Sequence, residues 1–207
     1  MAISTYAELQ TTIGDWLNRA DLTSVIPSFI ALAEARIGDD LRTRQMETQD
    51  DLTTVAGTPT VALPADYEEA RGLVLQTTPL VNLAYLTPAA MAATHADGAT
   101  GQPVNYTVIG SNIHLGPTPD AAYTARLTYY AAVTPLSDSN TTNWLLTRRP
   151  NVYLYASLLE AAPYLGDDAR IEVWGKLYDA ALGRVQSTDE RARWPGSPLT
   201  IKASVQW

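Results

Sequence analysis

Two helical patterns open the chain and two more follow near its end. Tyr6, Leu9, Ile13, Trp16 and Leu17 recur three or four residues apart, which places them on one stripe of a helix. Thr5, just before this stripe, and Glu8, three residues on, have the spacing of a capping box, where each side chain satisfies a free N–H at the helix start. The helix is expected to stop near Arg19-Ala20-Asp21. Ile26, Phe29, Ile30, Ala33, Ile37 and Leu41 repeat the spacing, and Pro27 fits the first turn, where its missing N–H costs nothing. Glu34, Arg36, Asp39, Asp40, Arg42 and Arg44 are assigned to the outer faces. So short a connection predicts an antiparallel helix pair.

The pattern changes after Met46. Thr, Val, Gly and Pro become frequent, and short apolar segments bounded by turn residues take over: 51–55, 60–63, 71–76, 80–86, 104–109, 112–115 and 123–133. Gly110-Ser111 reads as a two-residue hairpin turn with Gly in the first turn position. Thr87-Pro88 can start a short helix over 89–94, ahead of a Gly-containing loop at 97–101. From about Asn143 helical spacing returns. Pro150 starts a third helix with a stripe of Val152, Tyr155, Leu158, Leu159 and Ala162, ending near Pro163. Asp167 and Asp168 favour the N-terminus of a fourth through its dipole, and Ile171, Trp174, Leu177, Tyr178, Ala181, Leu182 and Val185 form its apolar face. Trp194-Pro195-Gly196-Ser197-Pro198 breaks it. Leu199, Ile201, Ala203, Val205 and Trp207 then alternate with polar residues, which is strand periodicity. Such a strand either pairs with the chain's own β section or augments a sheet of another chain.

These elements predict an α+β fold. A helical pair at 1–45 and a second at 137–194 would form a four-helix bundle, with an inserted antiparallel β section at 46–136 and an extended arm at 195–207. The 207 residues suffice for a real core. Only 17% of residues are charged, a thin coat that suggests part of the surface is covered by a partner.

Charge narrows the function. Lys and Arg number 14 against 22 Asp and Glu, for a net charge of −8. Tight nucleic-acid binding needs a basic footprint, so it is not expected. An acidic wall can still let DNA slide past. The absence of cysteine excludes disulfides, thiolate catalysis and Cys-ligated metals. No secretory signal and no membrane span are expected, because no apolar run approaches the length that a bilayer requires.

Candidate chemistry is sparse. No G-x-S-x-G elbow or phosphate-binding glycine motif occurs. His95 and His114 lack the companions of a zinc site. His95 reads as the end of a short helix and His114 as a strand residue. The acidic pairs Asp39-Asp40, Asp50-Asp51, Glu68-Glu69 and Asp167-Asp168 could do glycosidase-like work only if burial split their pKa values. Sequence neighbours point in different directions, so these pairs read as solvated surface. Arg148-Arg149 is a small basic pair before a helix, either plain surface or an interface contact. Eleven tyrosines and five tryptophans against one Phe also suit protein interfaces. No catalytic residue, cofactor or metal is expected.

The segments Thr5-Tyr6-Ala7-Glu8-Leu9, Asp15-Trp16-Leu17 and Ile26-Pro27-Ser28-Phe29-Ile30-Ala31-Leu32-Ala33-Glu34-Ala35-Arg36-Ile37, leading to Leu41-Arg42, resemble the N-terminal helices of tailed-bacteriophage adaptor (head-to-tail connector) proteins. Leu63-Pro64-Ala65-Asp66-Tyr67 is similar to the turn in their β section. Pro150-Asn151-Val152-Tyr153-Leu154-Tyr155-Ala156 and Trp174-x-x-x-Tyr178 are similar to their C-terminal helices. The resemblance implies a structural virion protein, synthesised in the host cytoplasm, that forms a ring, usually dodecameric, below the portal protein. Such a ring extends the DNA channel and docks tail or nozzle proteins. The expected partners are the portal, a tail protein, further copies of the chain, and genomic DNA in passage without sticking. In that setting Leu199, Ile201, Val205 and Trp207 would dock on the portal or a neighbouring copy, and Arg148 and Arg149 could add an interface contact. The rival readings are another virion ring, such as a stopper or tail-completion protein, a tail-associated glycan hydrolase, and an isolated binding module that stays monomeric.

Overall fold

A computed structural model describes residues 3–166 and 170–193. The chain divides into two compact units. One is built from described residues up to Thr43 and from Val133 onward, the other from Arg44–Ala132.

The first unit is helical. Helix α1 (Tyr6–Leu17) starts at the expected box: the Glu8 N–H donates to Thr5 Oγ1 at 3.3 Å and the Thr5 N–H to Glu8 Oε2 at 3.1 Å. It ends at Asn18, whose left-handed backbone (φ 53°) is one that Asn tolerates. A single 3-10 turn (Ala20–Leu22) leads into α2 (Ile26–Asp40), with Pro27 in its first turn. After the excursion through the second unit come α4 (Trp144–Arg148), α5 (Pro150–Leu165) and α6 (Ile171–Arg193). Asn143 caps α4 by accepting from the Leu146 N–H at 2.8 Å.

The expected four-helix bundle is not what these helices make. In such a bundle every helix buries one stripe against a shared core. Here α5 packs against α1, α2, α4 and α6 and is enclosed nearly all round. Besides Val152, Leu158 and Ala162, it buries Tyr153, Leu154, Ala156, Ser157 and Ala161, while the predicted stripe members Tyr155 and Leu159 are only half-buried. A helix apolar on all sides seeks a central position. Apart from Ser157 and Glu160, the run VYLYASLLEAA carries apolar residues on all sides, so a single buried stripe does not describe it. The helix also runs past Pro163 to Leu165. The mixed α+β class stands. The predicted arm at 195–207 lies outside the described residues.

A polar network closes this unit. Glu34, expected on an outer face, is half-buried and accepts from the Leu136 N–H at 2.7 Å and from the Tyr153 hydroxyl at 3.2 Å. Asn143 Nδ2 donates to the Tyr153 oxygen at 2.6 Å and to the Thr134 carbonyl at 2.9 Å.

The second unit is a curled seven-stranded sheet in the order β1-β9-β3-β4-β6-β7-β2. Its strands are β1 (Glu47–Thr53), β2 (Thr60–Ala62), β3 (Tyr67–Leu75), β4 (Val81–Tyr85), β6 (Asn105–Ile109), β7 (Asn112–Gly116) and β9 (Thr124–Ala131). A second, two-stranded sheet pairs β5 (Thr100–Gly101) with β8 (Thr118–Pro119). Leu73, Leu75, Leu83, Ile113, Leu115 and Leu127 lie in one core cluster drawn from strands along the sheet, so the sheet curls around one inner face. Register shifts at Tyr67/Glu69 and Ala70/Gly72 in the β3–β9 ladder supply local bends. The hairpin at Gly110-Ser111 is as expected. Gly110 takes φ 59° at the first turn position and Ser111 does not, the signature of a type II′ turn.

The pairing is not wholly antiparallel. Strand β4 runs antiparallel to β3 but parallel to β6, and β5 runs parallel to β8. A parallel step needs a long crossover. The segment from 86 to 104, which includes helix α3 (Pro88–Thr94), provides it. Both edges are protected: β2 is three residues long, and β1 is ETQDDLT, with Glu47, Asp50 and Asp51 exposed. That polarity also explains why β1 starts four residues before the segment read from apolar spacing.

Two substitutions test this packing. Glu34→Ala should cost about 1–3 kcal/mol in urea unfolding, because the Leu136 N–H and Tyr153 hydroxyl lose their acceptor. Burial pushes the Glu34 carboxyl upward, against those two hydrogen bonds. The stability tied to that shift is present below the unfolded value and lost as pH rises through the folded one. Glu34→Gln, which keeps an acceptor without the charge, should therefore match or exceed the wild type at pH 7. Gly116→Ala should cost roughly 1–3 kcal/mol, since its Cβ would lie 2.4 Å from Cδ2 of the His95 ring, which Asn105 holds in place.

Candidate assembly surfaces

The residues singled out from sequence fall into three groups. Leu199, Ile201, Val205 and Trp207 lie outside the described residues. Arg148 and Arg149 form the joint between α4 and α5. The Arg149 N–H donates to the Leu145 carbonyl at 2.7 Å, and its carbonyl accepts from the Val152 N–H at 3.0 Å. Arg148 is exposed and Arg149 half-buried, and neither side chain has a partner among the described residues. They are available for contact, with nothing opposite them among the described residues.

The histidines hold structure. His95 closes α3, and its Nε2 lies 3.1 Å from Asn105 Oδ1 on β6. This fixes the short helix on the sheet. His114 pairs across the ladder with Thr60 and Thr107 and is half-buried. Among the described residues, no group of three His, Asp or Glu side chains could hold a metal ion.

The acidic pairs are split by their partners. Asp51 meets Arg126 in two parallel hydrogen bonds of 2.8 and 2.9 Å, which hold its carboxyl below the usual range. Asp40 Oδ2 accepts from the Tyr178 hydroxyl at 2.9 Å, while Asp39 has no side-chain partner among the described residues. Asp66, outside the noted pairs, accepts from the Tyr129 hydroxyl at 2.9 Å. Asp167 and Asp168 lie outside the described residues. An open cleft of about 490 Å³ lies between the end of α1 and the start of α2, lined by Gln10, Asp15, Asn18, Arg19 and Thr23 among others. Among its described lining residues Asp15 is the one carboxylate, so these residues do not present the acid pair that glycoside hydrolysis uses.

What remains is surface. Leu32, Tyr164, Ile171, Val173 and Leu177 are exposed on the helical unit, and Val55, Leu80, Tyr85, Val104 and Ile109 on the β unit. Leu177 was expected in the buried face of α6. Leu32 sits off the α2 stripe and was not singled out, although an apolar residue between outer positions was the available signal.

Three hydroxyl groups give a pH signature. Burial and the Asp66 carboxylate push the Tyr129 phenol up to about 12. Burial and the neighbouring Glu34 and Asp40 carboxylates also raise Tyr153 and Tyr178, respectively. Each neutral phenol stabilises the fold below the unfolded value near 10, and that contribution is lost as pH rises through the folded value. Stability to urea should therefore fall between pH 10 and about 12, and Tyr129→Phe should fall less steeply. Equal slopes would show that Tyr129 does not carry the shift.

A family model described as SU10 adaptor protein matches residues 4–202. No curated protein matches the chain.

Proposed function

This chain belongs to the SU10 adaptor family, a family of bacteriophage head–tail adaptors, and on that premise we propose that it forms a closed ring between the portal and the tail. As a member, it is a structural component of the virion that contacts other head and tail proteins. The observation that carries the proposal is the family match across nearly the whole chain. In the proposed role the ring, dodecameric as the resemblance implies, lies beneath the portal, extends the DNA channel and offers its far side to a tail or nozzle protein.

Electrostatics support the DNA-channel part of the reading. Residues 44–132 contain eight carboxylates and only three arginines. Of those arginines, Arg126 is bound to Asp51, and Arg71 lies 5.4 Å from the centre of the Tyr130 ring. A surface with that balance repels phosphate and lets DNA pass without sticking. No described helix is long and apolar enough to cross a membrane. The alternating residues Leu199, Ile201, Val205 and Trp207 are proposed to dock on the portal or on an adjacent copy.

Native mass spectrometry of the full chain, alone and mixed with its portal ring, tests the reading. A closed multimer, or a monomer that multimerises on the portal, is expected. A chain that stays monomeric and ignores the portal contradicts it. The double variant Leu199→Asp with Trp207→Ala should lose portal-dependent assembly while keeping the helical circular dichroism of the wild type. Unchanged assembly would rule out the arm.

A further inference from the structure

A ring built by rotation needs two different faces on each copy, one to meet the other on its neighbour. Helices α2 and α6 each pack on α5 and each leave a second stripe in solvent. On α2 that stripe is Ser28, Leu32, Ala35 and Asp39, all exposed, on the side opposite Ile26, Ala33 and Ile37. On α6 it is Val173, Leu177, Ala180 and Arg184, also exposed, flanking the buried Trp174, Tyr178 and Ala181. Leu32 is 53% exposed, Val173 55% and Leu177 36%, so three aliphatic side chains in these two stripes are in water.

The two stripes match. Both use steps of four, three and four residues, so each runs as a narrow line along its helix. Laid side by side in the same direction, Leu32 meets Leu177, Ala35 meets Ala180, and Asp39 meets Arg184. The small residues let the helices approach closely, the leucines supply the apolar contact, and the charges fix direction and register. Asp39 and Arg184 have no side-chain partner among the described residues. By helical spacing Glu172 and Asp179 lie to one side of this line, and Lys176 borders it beside Val173 and Ala180. We infer that α2 of one copy packs against α6 of the next copy along these stripes, and that this is a principal lateral contact of the ring. The inference rests on the ring reading above and specifies its interface.

The chain has no cysteine, so a disulfide trap reads the contact without background. Ala35 and Ala180 are exposed, and replacing them leaves the core untouched. The double variant Ala35→Cys with Ala180→Cys, oxidised in the assembled state, should give a ladder of covalent oligomers on a non-reducing gel. Opposed helices that close bring the two Cα atoms within disulfide reach, roughly 7 Å or less. Either single variant should stay monomeric on the same gel, because the contact joins unlike faces. Asp39→Arg should weaken assembly roughly tenfold by opposing two like charges, and adding Arg184→Asp should restore it. A wild type that assembles while the double cysteine variant gives no ladder, or only an internal disulfide, overturns this interface and leaves the ring reading intact. A wild type that never assembles, alone or on the portal, overturns both.

Discussion

The closure of the helical unit is directed by one half-buried side-chain acceptor. Glu34 on α2 accepts the Leu136 N–H, 102 residues further along the chain, and the hydroxyl of Tyr153 on α5. Asn143 joins the same hydroxyl and also caps α4. The chain leaves this unit near Thr43 and re-enters it at Val133. Closing so long an excursion costs entropy that only specific contacts at the closure can offset. The Glu34 network supplies direction there, and the burial of α5 supplies most of the energy. At about 25 cal/mol per Å² of apolar area removed from water, an enclosed helix of this kind contributes more than any single hydrogen bond.

Local chemistry made much of this legible in the sequence. The Thr5/Glu8 box, the Pro27 and Pro150 starts, the Thr87 cap of α3 and the Gly110-Ser111 turn are short-range signals, and each element stands where its signal put it. The misses are long-range. The all-round apolar run of α5 is a local sign of enclosure, but which helices enclose it depends on distant segments. The parallel β4–β6 step depends on where a crossover lands. Glu34 reads as an outer residue because charge usually marks the outside, and its partners come from distant segments. Leu177 shows the converse: it fits the apolar period of α6, yet it lies at the rim of the buried face.

The candidate chemistry resolves into structural roles. His95 pins a short helix, Asp51 ties an edge strand to β9 through Arg126, and Asp40 and Asp66 receive tyrosine hydroxyls. Each of these groups is satisfied locally, whereas catalytic groups converge on one cavity. Arg148, Arg149, Asp39, Arg184 and the exposed aliphatics of α2 and α6 are different. They lack partners among the described residues or stand in water, as expected of a subunit whose contacts are completed by other chains. The phage adaptor family to which the chain belongs gives those surfaces their setting.

The most direct measurement is electron cryo-microscopy of the full chain bound to its portal. The account predicts a closed ring of this chain coaxial with the portal, with neighbouring copies joined through unlike faces of their helical units. Isolated copies scattered on the portal, or a ring joined through like faces, would contradict it.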